Sequence, residues 1–355
     1  MTTIETLVRE RSVLVCCGSG GGGKTTVAAS LALCGATLGR RCCVVTIDPA
    51  RRLADALSEG AILNSPHEIE GPWSGSLFAV MLDAKVTFDD LVRNYAADED
   101  QAERILANRV YRNLVSALSG TQEYMATEKL FELHDEGAFD LVVVDTPPAR
   151  NALDFLAAPS RLAGFLDNRL FRALLMPGRA YLRAASLFTQ TFLRTLSRVA
   201  GGEIVEDTMT FFQAFEGMEQ GFRDRAAAVE RLLSSEATSF VLVGTPQRES
   251  VDDATYFAQH VVEGGQHVGA LVMNRMLPDL GDVVAVPNDE GPWSELVANL
   301  NDLTTVAHRE ELLVAEIANQ IAPAPVARVP LLGADVHDMY GLSHVARYLV
   351  PGAVP

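Results

Sequence analysis

Residues 12–17 (S-V-L-V-C-C) run directly into Gly18-Ser19-Gly20-Gly21-Gly22-Gly23-Lys24-Thr25, and residues 24–38 follow as an Ala-rich helical segment closed by Gly39. The order is strand, glycine-rich turn, helix, and the turn matches G-x-x-x-x-G-K-[ST] in the setting that gives the motif its meaning. Glycines lack a Cβ, so such a loop can turn successive backbone N–H groups inward around phosphate oxygens. The helix behind it adds the positive end of its dipole. A lysine at position 24 reaches β- and γ-phosphates, and the Thr25 hydroxyl can ligate Mg²⁺. Gly20, Gly21, Gly22, Gly23, Lys24, Thr25 and Thr26 are therefore the candidate ATP-binding residues. The chain has three lysines, Lys24, Lys85 and Lys129, and one of them stands at the position the chemistry needs.

Working outward, apolar runs of strand length recur at 42–47, 77–82, 139–144, 239–244 and 268–273, with helical stretches between them, for example at 101–118, 124–134 and 250–262. Short continuous apolar strands alternating with helices predict an α/β fold with a mostly parallel, doubly wound sheet. The length of 355 residues suits a single P-loop domain spanning 1–355. The alternation breaks at 160–233, where helical periodicity continues without a strand, and we read an inserted helical subdomain there. Its first half carries Arg161, Arg169, Arg172, Arg179, Arg183, Arg194 and Arg198 against Asp167. Residues 279–292 are acidic and rich in Gly and Pro, which reads as an exposed surface loop.

Composition excludes several classes. Lys+Arg total 29 against 46 Asp+Glu, a formal net charge of -17. That balance repels phosphodiester backbones, so no nucleic-acid partner is expected. Hydrophobic residues at 48% and charged residues at 21% describe a folded chain, not a disordered one. No apolar run reaches membrane-spanning length, and the run at 13–17 is too short for a signal-peptide core, so a cytoplasmic protein is expected. The five cysteines, Cys16, Cys17, Cys34, Cys42 and Cys43, all lie in the first 43 residues. Adjacent cysteines on a strand point to opposite faces, so they read as buried small hydrophobes and not as disulfide or metal pairs.

Two carboxylates fall at the edge where open α/β sheets bind ligands. Residues 139–146 read F-D-L-V-V-V-D-T, an apolar strand ending in Asp145, suited to the shell of a Mg²⁺ ion beside Thr25. Residues 46–51 read T-I-D-P-A-R, which sets Asp48 at the end of the second strand, either on the ligand or as a helix cap. Asn274, after the strand at 268–273, can make a two-point hydrogen bond to adenine or serve as a turn residue.

Together, the glycine-rich loop, T-I-D-P-A-R-R-L and D-T-P-P-A-R-N-A-L-D-F-L resemble the ArsA-type ATPases, which include the arsenite-pump ATPases and the ATPases that target tail-anchored membrane proteins. The likeness extends over most of the chain, with the nearest likeness to the paired ArsA-like ATPases of some bacteria. It implies a Mg²⁺-dependent ATPase working as a nucleotide-sandwich dimer. It also implies Asp48 as the switch I aspartate that orients the attacking water, residues 145–150 as switch II, Asn274 as the adenine-reading asparagine, and Pro330, Leu331 and Leu332 as the adenine loop.

Two departures qualify it. The family loop reads G-K-G-G-x-G-K-T, and its first lysine crosses the dimer to the partner's phosphates; here that position is Ser19. A cation supplied in trans can be worth ~10³ or more in rate. Either another arginine substitutes, with Arg51 the candidate, or the partner is a paralogue that keeps the lysine. The cysteines also lie in the nucleotide core, away from any arsenite site, and the C-x-x-C of the eukaryotic targeting ATPases is absent, so no zinc is expected.

Within the insert, Leu182, Ala185, Phe188, Phe192, Leu196 and Val199 share one helical face, with arginines largely opposite; Phe211, Phe215, Met218 and Phe222 form a second stripe. The stripes read either as subdomain core or as a groove for a hydrophobic client or membrane partner. The expectation is a dimeric ATP switch coupled to such a client, as a homodimer or with a paralogue. The competing reading is a low-activity ATP-binding subunit that completes a lysine-bearing partner.

Overall fold

The computed structural model describes residues 3–47, 53, 57, 64–112, 121–146, 149–167, 207, 210–211, 213–282, 285 and 291–353. Strands β1 (Val13–Gly18), β2 (Arg41–Thr46), β3 (His67–Ile69), β4 (Ser76–Met81), β5 (Leu141–Asp145), β6 (Thr238–Gly244), β7 (Val268–Met276) and β8 (Val326–Pro330) form one sheet. Their order is β3-β4-β2-β5-β1-β6-β7-β8. Every neighbouring pair is parallel except β3 with β4. The α/β fold with a mostly parallel sheet is thus the observed one. β1, β5 and β6 are buried at every position, which is why their sequences are continuous apolar runs. The edge strands β3 and β8 escape that criterion, since H-E-I has two exposed residues and V-A-R-V-P alternates.

α1 (Ile4–Glu10), α2 (Lys24–Thr37) and α10 (Met339–Leu349) pack with one face of the sheet. Leu14 and Cys16 of β1 belong to this core, while Val13, Val15 and Cys17 point to the other face. From Val27 to Ala36 every residue of α2 is buried, as a helix sandwiched between a sheet and a second helix must be. The Ser30 hydroxyl donates to the Leu342 carbonyl at 3.2 Å, tying α2 to α10. Asp338 starts α10 by accepting from the Gly341 N–H at 2.7 Å. α8 (Arg248–Glu263) follows β6, and α9 (Pro292–Ile321) joins β7 to β8. The expected loop at 279–292 is exposed at Asp279, Gly281 and Asp282, but Pro292 opens α9, where its missing N–H costs nothing.

The chain divides into two compact units. The first holds the sheet, in Met1–Leu82, Glu132–Leu153 and Leu233–Pro355. The second, Asp83–Phe131 with Asp154–Leu232, is helical among its described residues. It contains α3 (Ala84–Tyr95), α4 (Glu99–Ala107), most of α5 (Thr121–Asp135) and α6 (Ala149–Asp167), and α7 (Glu219–Leu233). The helix expected at 101–118 is interrupted: α4 ends at Ala107, and the Asn108 side chain accepts from the Val110 N–H at 2.8 Å to start a new turn. Phe211, Phe215, Met218 and Phe222 are buried. Phe222 lies 5.2 Å from Phe215 and 5.1 Å from Tyr95 between ring centroids. That stripe is therefore core. Buried Glu128 is paired with Arg225, whose guanidinium lies 4.1 Å over the Phe131 ring. The arginine-lined segment 179–199 lies outside the described residues.

Among the described residues no helix is long and apolar enough to cross a membrane. All five cysteines are buried free thiols. Burial pushes Cys17, Cys34 and Cys42 from 9.0 up to about 12. The unfolded chain then loses these protons at lower pH than the folded one, so stability is full below about pH 9 and falls as pH rises toward 12. The slope is about 1.4 kcal/mol per pH unit for each thiol. Urea unfolding measured from pH 7.5 to 10.5 is expected to show this decline, and Cys17→Ala to make it shallower; an equal slope in the variant would contradict the assignment.

Candidate functional site

β1 lies between β5 and β6, in register Cys16 with Asp145 and Gly18 with Val243. Its carboxyl end therefore delivers the glycine loop between those two neighbours. The loop has no room for side chains at its two ends. A Cβ on Gly18 would stand 1.8 Å from the Val243 carbonyl oxygen, and one on Gly23 would stand 2.2 Å from the Asn274 amide nitrogen. Gly23 also has φ +91° and is the N-cap of α2, a conformation that costs an L-residue of order 1–3 kcal/mol.

Asn274 Nδ2 donates to the Gly22 carbonyl at 3.0 Å, and its Oδ1 accepts from the Arg275 N–H at 2.9 Å. Arg275 itself takes φ +61°. Asn274, 9% exposed, is thus a brace beneath the loop, with both ends of its carboxamide engaged. Lys24 is buried, and its ammonium donates to the Ser19 carbonyl at 2.9 Å. The one flexible cation of the loop is held folded across it, close to where phosphates would enter.

Asp145, at the end of β5 and 1% exposed, gathers three elements. Its Oδ2 accepts from the Thr25 hydroxyl at 2.7 Å and from the Thr46 hydroxyl at 2.9 Å. The charge is felt nearby: burial, reinforced by Asp145, pushes the Cys16 thiol well up. Thr146, just past β5, is tied to β1 by its hydroxyl, which donates to the Cys16 carbonyl at 2.8 Å. A carboxylate and a hydroxyl side by side at a helix N-terminus are hard oxygen donors of the type Mg²⁺ takes, one or two from protein with the rest from water and phosphate. The donor set fits that ion, with Thr25 and Asp145 as the groups that would hold it.

Of the other residues singled out from sequence, Gly20 and Gly21 are exposed at the mouth of the loop, Gly22 is buried, and Thr26 is half-buried in the first turn of α2. Pro330 and Leu331 sit where β8 ends, with the Leu331 N–H donating to the Met276 carbonyl at 2.8 Å and its side chain 57% exposed. Leu332 packs against the main core. Asp48, Arg51 and residues 147–148 lie outside the described residues. Two contributors escaped sequence reading. Thr46 had a visible signal, a hydroxyl at the end of an apolar strand. Ser250 had none: its hydroxyl meets that of Ser19 at 2.7 Å from 231 residues away.

A parallel sheet whose first strand opens a glycine loop onto a helix N-terminus, with Lys24 and Thr25 at the helix start and a carboxylate on the adjacent strand, defines a P-loop nucleotide hydrolase fold. The family model described as anion-transporting ATPase, ArsA type, matches residues 11–351, and the chain belongs to this family. It is accordingly an ATP-binding ATPase. It is 19% identical over 345 residues to the putative arsenical pump-driving ATPase 1 of Aquifex aeolicus, covering 95% of this chain and 78% of that one. To the ATPase GET3A of Arabidopsis thaliana it is 26% identical over 269 residues, covering 75% and 67%. An uncharacterized protein of Streptomyces coelicolor is 32% identical over 306 residues, covering 83% and 71%.

The brace gives a structural prediction. Gly23→Ala forces its new Cβ onto the Asn274 amide and strains the backbone, and is expected to destabilise the protein by about 1–3 kcal/mol. Adding Asn274→Ala removes the obstructing atom, so the two changes couple. Thermal unfolding of the single and double variants measures this; strictly additive losses would mean that the two residues do not meet.

Proposed function

We propose that the chain is a Mg²⁺-dependent ATP hydrolase acting as a dimeric switch that couples nucleotide state to a hydrophobic client or membrane partner. The observation that carries the reading is the Thr25–Asp145–Thr46 cluster beside Lys24 in the closed glycine loop. In this reading Gly20, Gly21, Gly22 and Gly23 cradle the phosphates with backbone N–H groups, Lys24 neutralises β/γ charge, and Thr26 adds a donor at the start of α2. Thr25 and Asp145 would hold Mg²⁺, which would supply neutralisation of phosphate charge. Asp48 positions the attacking water. Asn274, Pro330 and Leu331 border the adenine; with one Nδ2 proton given to Gly22 and one Oδ1 lone pair given to Arg275, Asn274 keeps a second proton and a second lone pair for the base. Positioning and electrostatics do the chemistry.

The partner side rests on resemblance. One relative is named for driving an arsenical pump and another is a GET3A ATPase; here a thiol-based arsenite site is not proposed, since the five cysteines are buried in the nucleotide unit. The client contact is assigned to the helical insert at 160–233, and specifically to its arginine-flanked apolar segment, because the second stripe is already committed to core. A cytoplasmic protein, touching membranes peripherally through that segment, is the corresponding location.

A second reading is favoured by one observation, the serine at position 19. A subunit without the crossing lysine binds ATP and completes the site of a lysine-bearing paralogue while turning over little itself. ATP hydrolysis by the purified full chain, followed against its own concentration with Mg²⁺ and with ATP binding in parallel, decides between them. The rate per subunit is expected to rise with concentration, as a competent homodimer assembles. Binding with negligible turnover at every concentration would overturn the homodimer and select the paired assembly.

A further inference from the structure

Ser19 is held from both sides. Its carbonyl accepts from Lys24 at 2.9 Å, and its hydroxyl lies 2.7 Å from the hydroxyl of Ser250, in the first turn of α8. Ser250 is buried, and its Oγ also accepts from the Thr245 N–H at 3.0 Å. These contacts fix the direction of the chain of bonds. A hydroxyl has one proton to give. Ser250 already accepts from Thr245, so were it also to accept from Ser19, its own proton would be buried without an acceptor, an arrangement folded proteins avoid. Ser250 therefore donates to Ser19, and the Ser19 proton is left to point out of the loop. Thr245 N–H, Ser250 O–H and Ser19 O–H then align head to tail, each bond polarising the next. α8 is a firm platform for this, with Val251, Ala254, Phe257, Ala258 and Val261 buried.

We infer that Ser250 is a positioning residue of the nucleotide site, which aims the Ser19 hydroxyl proton at a phosphate oxygen of ATP. The inference rests on the reading of the glycine loop as the ATP site. In that role Ser19 offers, within its own subunit, a neutral donor oriented by a buried partner, and the loop position acquires a function that depends on α8.

The test is the affinity of the full chain for ATP with Mg²⁺ in wild type, Ser19→Ala, Ser250→Ala, the double variant and Ser250→Thr. Losing one hydrogen bond to a charged acceptor predicts a Kd raised ~10-fold to ~100-fold in each alanine variant. The double variant is expected to match the worse single, because both changes break one chain of bonds, and Ser250→Thr to bind near wild type because it keeps the hydroxyl. Should Ser250→Ala not fold, Ser250→Cys keeps the volume with a poor donor and carries the same expectation. A wild-type Kd in the folded Ser250 variant, or losses that multiply in the double variant, would overturn the inference. Lys24→Ala separates the two levels: unchanged ATP affinity there would overturn the reading of the loop itself, whatever the serine variants do.

Discussion

A buried carboxylate has to be matched by donors, and at the mouth of the glycine loop that requirement falls on Asp145. Its matched oxygen takes hydroxyl protons from Thr25 at the start of α2 and Thr46 at the end of β2. Two residues that are 99 and 120 positions from Asp145 in the chain are thereby fixed to within hydrogen-bond distance of one of its atoms. Removing either donor would leave part of a buried charge unmatched, which is far more costly than losing a surface contact. The Thr25 hydroxyl and the carboxylate itself are the oxygens a hard divalent ion would use.

The sheet order turns this local constraint into a site. With β1 between β5 and β6, the glycine loop emerges between Asp145 on one side and β6 and β7 on the other. Gly18 is pressed to the β6 backbone, and Gly23 to Asn274, which lies within β7 and not in a turn after it. The loop is consequently shaped before any phosphate arrives, and little ordering remains to be done on binding. Lys24 and Ser19 are part of that frame, one folded over the loop and the other tethered to α8.

Much of this was legible in the sequence because it is local. G-S-G-G-G-G-K-T between a strand and a helix, and V-V-V-D at the end of another strand, carry their chemistry in adjacent residues, and the central strands announce themselves as unbroken apolar runs. The less legible parts are those where distant residues decide. β3 and β8 are edge strands, half-exposed and short, so their periodicity carries little signal. The break at Asn108 depends on a side chain capping the next turn inside a pattern that stays amphipathic on both sides. Phe211, Phe215, Met218 and Phe222 fit a groove or a core equally well by spacing, and only the burial of all four, with Phe222 against Phe88 and Tyr95, decides for core. Asn274 bracing Gly22 joins residues 252 positions apart, which no local pattern encodes.

The central claim is that Thr25 and Asp145 form a divalent-metal shell against a preshaped phosphate loop. Calorimetric titration of the full chain with ATP, first with Mg²⁺ and then with the metal chelated, tests it most directly. The account predicts binding in both conditions with affinity at least ~10-fold tighter when Mg²⁺ is present, since Thr25 and Asp145 would hold the ion and it would neutralise phosphate charge. Equal affinity with and without the metal would contradict it.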